Sequence, residues 1–199
     1  MKALAALVMV MLAGLAHAQE ASRPAVKAGD QWQFVVYYGV PSTTPNRVWV
    51  VTSATPSGIE ATENGEPLLL TADLNIIESP LRKESNAKAL DFPLRVGKTW
   101  SYTSDTLFKD NRSTAHSVVE VQVVAYEKVR VVAGEFDAFK LTARSSFHGL
   151  SKGGPGVLSG ESTATYWYAP TVRAIVKSMS RNPYRGAATV ELVEARLQP

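Results

Sequence analysis

The chain of 199 residues contains no cysteine. That excludes disulfides, thiolate metal sites, a cysteine nucleophile and lipid attachment to a cysteine behind a leader. Histidine is nearly as scarce, with only His116 and His148 beyond residue 18. The two form neither an H-x-H nor an H-x-x-x-H pair, so their spacing offers no zinc site. No metal or cofactor is expected. A one-sided charge is missing too: 21 basic residues stand against 18 acidic ones, net +3. They are interleaved, which describes a solvated surface and not a nucleic-acid stripe. Beyond the N-terminus no apolar run approaches the roughly 18 residues that a membrane helix needs. No amphipathic helix of ordinary length is visible either.

The one long apolar run is at the start. Lys2 precedes Ala3–Leu15, and Ala16-His17-Ala18 supplies a small-x-small cleavage pattern. Met1–Ala18 therefore reads as a secretory signal peptide, with a mature chain from Gln19 and no membrane anchor left after cleavage. A cysteine-free chain behind an alanine-rich leader points to a periplasmic or secreted bacterial protein. Asn111-Arg112-Ser113 matches the glycosylation triplet, which has no role expected in that compartment. Residues 19–199 are long enough for one domain with a core of its own.

What is abundant is β-forming sequence cut by turns. Gln31–Val40, Arg47–Thr52, Ile59–Glu63, Leu68–Ile77, Lys98–Leu107, Thr114–Tyr126, Lys128–Val132, Phe136–Phe147, Ser162–Tyr168, Thr171–Ser180 and Thr189–Leu197 are rich in aromatic and β-branched residues. Asn64-Gly65 is a strong hairpin signal, because both positions tolerate positive φ. Ala133-Gly134 marks the turn of a second hairpin at the centre of the chain, Ala125–Leu141. In Thr114–Tyr126, Val119, Val121, Val123 and Ala125 share one face and His116, Glu120 and Gln122 the other, the period of a half-buried strand. Ser79-Pro80 suggests a helix cap and first turn, so residues 79–90 are read as a polar connector with one or two helical turns. The fold predicted is all-β: a single domain of about ten antiparallel strands in a strongly curved sheet or open half-barrel, with a β-sandwich as the alternative. Gly29-x-x-Trp32-x-Phe34 is echoed by Gly97-x-x-Trp100-x-Tyr102, which is compatible with two similar halves, 19–78 and 91–199.

Gly149-Leu-Ser151-Lys-Gly153 spells the nucleophile elbow of serine hydrolases. The elbow needs a helix directly after it, and here Gly154-Pro155-Gly156 follows; both histidines also precede the serine. A mobile loop is the better reading. The same glycines lack the Gly-Lys-Ser/Thr of a phosphate loop. The richest feature is aromatic: four Trp and seven Tyr. Trp32, Trp49, Trp100 and Trp167 all fall in predicted strands, where core packing is the ordinary use. Trp32, Trp100, Tyr102, Tyr166, Trp167 and Tyr168 are the residues to line a groove for an apolar ligand, if one exists. Arg181 and Arg185 flank the last turn as solvated residues or an anion contact.

Pro93-x-x-x-Gly97-x-x-Trp100, Val131-Val-Ala-Gly-Glu-Phe-Asp-Ala-Phe-Lys140 and Tyr166-Trp-Tyr-Ala-Pro170 together resemble uncharacterised secreted bacterial all-β proteins. These carry a V-x-A-G-x-F-x-A-x-K hairpin and a Y-W-Y-x-P strand. The resemblance covers residues 91–199. It implies a secreted β-protein, and, through relatives similar to the open barrels of lipoprotein carriers, a concave face that holds acyl chains. The function expected is a soluble, non-enzymatic periplasmic binding protein for a lipid-like or other apolar ligand. The alternatives are an envelope protein–protein interaction module and, last, an enzyme of unrecognised type.

Overall fold

A computed structural model describes residues 19–109, 113–152 and 156–199. The leader read from Met1–Ala18 lies outside them, as do parts of the Asn111 triplet and of the Gly149–Gly153 motif. Among the described residues there are fourteen strands: β1 Glu20–Ala21, β2 Gln31–Tyr37, β3 Arg47–Thr55, β4 Gly58–Glu63, β5 Glu66–Leu70, β6 Ile76–Glu78, β7 Arg82–Ser85, β8 Leu94–Arg95, β9 Thr99–Phe108, β10 Thr114–Val131, β11 Gly134–Leu150, β12 Val157–Ala169, β13 Ala174–Asn182 and β14 Gly186–Arg196. A short 3-10 turn, Pro170–Val172, precedes β13.

Twelve strands close into one antiparallel barrel in the order β10-β11-β12-β13-β14-β2-β3-β4-β5-β6-β7-β9, with β9 returning to β10. β1 and β8 form a separate two-stranded pair. The expectation of about ten strands in an open half-barrel or sandwich is therefore corrected. Two pairings that adjacency in sequence does not reveal make the closure. β14 pairs with β2, Val190 opposite Val36, and β7 pairs with β9, Glu84 opposite Thr106. Closure removes the unpaired edges that an open sheet would expose.

The hairpin signals are realised. Asn64 and Gly65 have φ of 53° and 87°, and Gly134 has φ of 127°. The central hairpin is longer than expected: the two stretches expected as separate strands, Thr114–Tyr126 and Lys128–Val132, merge into one continuous strand of 18 residues, Thr114–Val131, with Val132 in the turn. A register shift between Val123 and Ala125 interrupts its alternation. Ala125 thus leaves the face of Val119, Val121 and Val123, and Tyr126 takes its place against the Phe139 ring, centroids 4.7 Å apart.

Residues 79–90 depart most from expectation. Ser79 caps no helix; its Oγ accepts the Leu81 and Arg82 N–H groups and its N–H donates to Arg82 O, so Ser79-Pro80-Leu81 is the turn between β6 and β7. The run that follows is no exposed connector. Leu90 and Leu94 are buried, and Asn75 holds Leu90 by both backbone groups, Nδ2 to O at 2.9 Å and N to Oδ1 at 2.8 Å. The segment packs on Val121, Val123, Leu141 and Tyr168. The tip of the central hairpin also helps seal this end. Val129, Val131 and Ala138 share a cluster with Trp32, Phe34 and Leu192, and Ala133 N–H donates to Leu192 O at 2.9 Å.

Candidate functional site

The two apolar clusters fill the barrel only toward its sealed end. Toward the other, the inward positions become small: Ser117 on β10, Ala143 and Ser145 on β11, Ser162 and Ala164 on β12, Ala188 on β14. The register lines them up, Ala143 opposite Ala164 and Ser145 opposite Ser162, whose hydroxyls lie 2.7 Å apart. A twelve-stranded circumference lined with small side chains cannot be filled. The result is a cavity of about 500 Å³ in the barrel lumen.

Its floor is apolar and aromatic: Trp32, Leu74, Ile76, Leu90, Tyr102 and Tyr166. Its upper wall is hydroxylic, with Ser104, Thr106, Ser117, Ser145 and Ser162. Two charged pairs stand in this wall. Arg47 and Glu63 meet at 3.2 Å, with the Trp49 Nε1–H donating to Glu63 at 3.1 Å. Arg82 on β7 is paired with Glu84. The second pair acts electrostatically on the two luminal phenols. Burial, then the neighbouring charges, pushes Tyr102 above its ordinary value, and burial does the same to Tyr166. Both phenols stay neutral hydrogen-bonding groups at physiological pH.

Three of the six aromatic residues singled out from sequence meet here: Trp32, Tyr102 and Tyr166 line the lumen. Trp32 is also structural, since its Nε1–H donates to Val172 O at 2.8 Å. The other three line no part of it. Trp100 packs on the connector, donating to Lys88 O at 2.7 Å, with Lys98 over its ring. Trp167 has the opposite parity to Tyr166 and binds Glu127 Oε1 at 2.9 Å, with Lys140 over its ring. Tyr168 is buried against Phe92. What sequence reading missed is the hydroxyl wall. Ser and Thr at alternate positions of a strand look like the solvent face until the barrel closes around them.

The histidines, whose spacing offers no zinc site, meet through strand register. His116 and His148 are directly opposite on β10 and β11, ring centroids 5.1 Å apart, and His116 Nδ1 lies 2.7 Å from Asp105 Oδ1. Among the described residues no three metal-ligating side chains group closely enough to hold an ion. Arg185 stacks on Phe108, 4.0 Å from the ring centroid, so the β13–β14 turn reaches toward β9 at the open end.

No family model matches the chain, and no curated protein sequence matches it. Solved structures do. A candidate exported protein of Bacteroides fragilis with a YmcC-like fold aligns with TM-score 0.54 and 17% identity, covering 88% of this chain and 99% of that one. A candidate lipoprotein of Parabacteroides distasonis gives TM-score 0.53 and 15% identity over 89% and 100%. The hypothetical lipoprotein YmcC of Escherichia coli is a looser likeness, TM-score 0.47 and 10% identity over 85% of each chain. The first two likenesses establish a shared barrel fold of the YmcC-like kind.

Proposed function

We propose that this protein is a non-enzymatic, extracytoplasmic binding protein whose barrel lumen takes one amphipathic small molecule. The observation that carries the reading is the graded lumen of about 500 Å³, aromatic at its floor and hydroxylic with two ion pairs toward its opening. That volume is in the usual range for small-molecule sites, about 300–1,000 Å³. An acyl chain suits the floor, where Tyr102, Tyr166, Leu90 and Ile76 offer apolar contact at about 25 cal/mol per Å² buried. A polar or anionic head suits the hydroxyls and Arg82. A fatty acid or lysolipid has this polarity, whereas a wholly apolar ligand would leave the hydroxyl wall unsatisfied.

The extracytoplasmic setting rests on the leader-like N-terminus and on the exported and lipoprotein descriptions of the fold's neighbours. No helix among the described residues is long and apolar enough to cross a membrane. The barrel's outer wall carries Glu120, Gln122, Arg144 and Glu161, all exposed. Membrane-spanning barrels present an apolar band there instead. Binding is favoured over catalysis because the luminal serines and threonines have no histidine or cysteine beside them in the lining to activate them. Strand addition by a protein partner, the alternative reading, finds no long free edge in the closed barrel.

The test is titration of residues 19–199 with fatty acids of increasing length, followed by tryptophan fluorescence and melting temperature. Saturable quenching and a rise in melting temperature by mass action are expected. The double variant Ser145→Leu/Ser162→Leu fills the lumen and should abolish both signals while remaining folded. If the parent protein gives neither signal with any amphiphile, the reading fails.

A further inference from the structure

We propose that the open end of the barrel docks on an anionic lipid bilayer, so that the lumen loads from the membrane surface. The proposal rests on the binding reading above and adds the source of the ligand. The barrel's strands run up and down, so the turns after β2, β4, β6, β9, β11 and β13 lie at the same end. Tyr38, Thr106, Asn182 and Ala188 line the lumen as it approaches these turns. Among the described residues, the six most exposed large apolar side chains all stand on this rim. They are Tyr38, Val40, Leu81, Leu150, Val157 and Tyr184, between 52% and 81% exposed.

These side chains come from four separate turns spaced around an opening, not from one continuous patch. A rigid protein partner is matched by a continuous, shape-complementary surface. Separate apolar tips are matched by a fluid one, into which each inserts without fitting its neighbours. The charge agrees. The described charged residues of the rim turns are Lys109, Lys152 and Arg185, and no acid is among them. Lys109 is neutralised by Glu78 at 2.8 Å, whereas Lys152 and Arg185 have no carboxylate partner among the described residues. The turns at the sealed end mix both signs, with Asp30, Asp73 and Asp91 bound to Arg173, Arg23, Lys88 and Lys98. Basic groups beside apolar tips suit anionic headgroups.

The experiment is flotation of residues 19–199 with vesicles of phosphatidylethanolamine and phosphatidylglycerol, against vesicles of phosphatidylcholine alone. Binding to the anionic vesicles is expected, reduced but not abolished by high salt, because apolar insertion is unscreened. Val40→Asp/Val157→Asp should weaken it by about tenfold or more. Lys152→Glu/Arg185→Glu should weaken it at low salt only. All four side chains are exposed and only the Arg185 stack on Phe108 is lost with them, so circular dichroism should be unchanged and the melting temperature nearly so. Ser145→Leu/Ser162→Leu should float normally while failing to take up fatty acid, which separates docking from loading. Absence of flotation by the parent protein overturns the proposal, and so does equal flotation of Val40→Asp/Val157→Asp. If fatty acid still loads from solution in that case, the lumen reading survives and the docking does not.

Discussion

Asp30 Oδ2 lies 3.0 Å from Arg173 Nη1, with the Asp30 side chain wholly buried. The same carboxylate accepts the Lys27 N–H at 3.0 Å and the Gln198 N–H at 2.7 Å. One side chain at the start of β2 thus joins the entering chain, the C-terminal segment and the 3-10 turn ahead of β13. The last two are 168 and 143 residues away from it in sequence. Removal of one partner from a buried pair leaves the other charge and the backbone donors without compensation. Asp30→Ala should cost about 3 kcal/mol, the lower end for a buried pair because Arg173 keeps some contact with water. Urea denaturation measures it; a loss below about 1 kcal/mol would make the node ornamental.

Trp32 and Trp100 begin the two sequence-similar strands and should respond unequally. Trp32 is 1% exposed and fills the lumen floor, so Trp32→Ala should cost about 3–5 kcal/mol. Trp100 is half-buried and holds the connector through Lys88 O, so Trp100→Ala should cost about 2 kcal/mol, a partial burial plus one hydrogen bond. Equal losses in chemical denaturation would refute this assignment of the two rings.

How far the sequence reveals this protein follows range along the chain. Asn64-Gly65 and Ala133-Gly134 are legible because a hairpin turn is decided by the φ of its own residues. The alternation of Val119, Val121 and Val123 is legible for the same local reason. Ser79-Pro80 misleads because its hydroxyl serves the N–H groups of a hairpin turn as readily as those of a helix start. Leu90 and Leu94 read as part of a polar connector because what buries them comes from Asn75, Val123 and Leu141, distant in sequence. The lumen is the least legible part. Ser117, Ser145 and Ser162 carry no motif, and they become one wall of a cavity only when β14 meets β2 and β7 meets β9. His116 and His148 likewise pair through strand register, which no spacing rule encodes.

Glu127 gives a pH-dependent test. The hydrogen bond from Trp167, then the Lys140 ammonium at 3.2 Å, holds its carboxyl below the ordinary 4.5. A carboxyl depressed in the folded state stabilises the protein fully above its ordinary value, and the contribution is lost as pH falls through the folded value. Glu127→Gln keeps the acceptor for Trp167 and removes the charge. The parent protein should therefore be more stable than the variant at neutral pH, with the gap closing on acidification below 4.5. A gap that persists in acid would assign the effect to packing and not to charge.

The Arg82–Glu84 pair in the luminal wall gives a test of where the head group of the proposed ligand lies. The two charges offset each other beside Tyr102 and Tyr166, while Arg181, also in the lining, has no carboxylate partner among the described residues. Glu84→Gln leaves Arg82 as the free charge and should tighten an anionic amphiphile such as a fatty acid. A free charge–charge contact at a half-exposed site contributes about 1 kcal/mol, about fivefold in affinity. Arg82→Gln should weaken the same ligand by a similar factor. A neutral amphiphile of equal chain length, a fatty alcohol, should be almost indifferent to both changes because its chain meets the same floor. Fluorescence titration of the three proteins with the two ligands gives six affinities. If acid and alcohol shift together, the pair acts only by shaping the wall; if they separate with opposite signs for the two variants, the head of the ligand lies against Arg82.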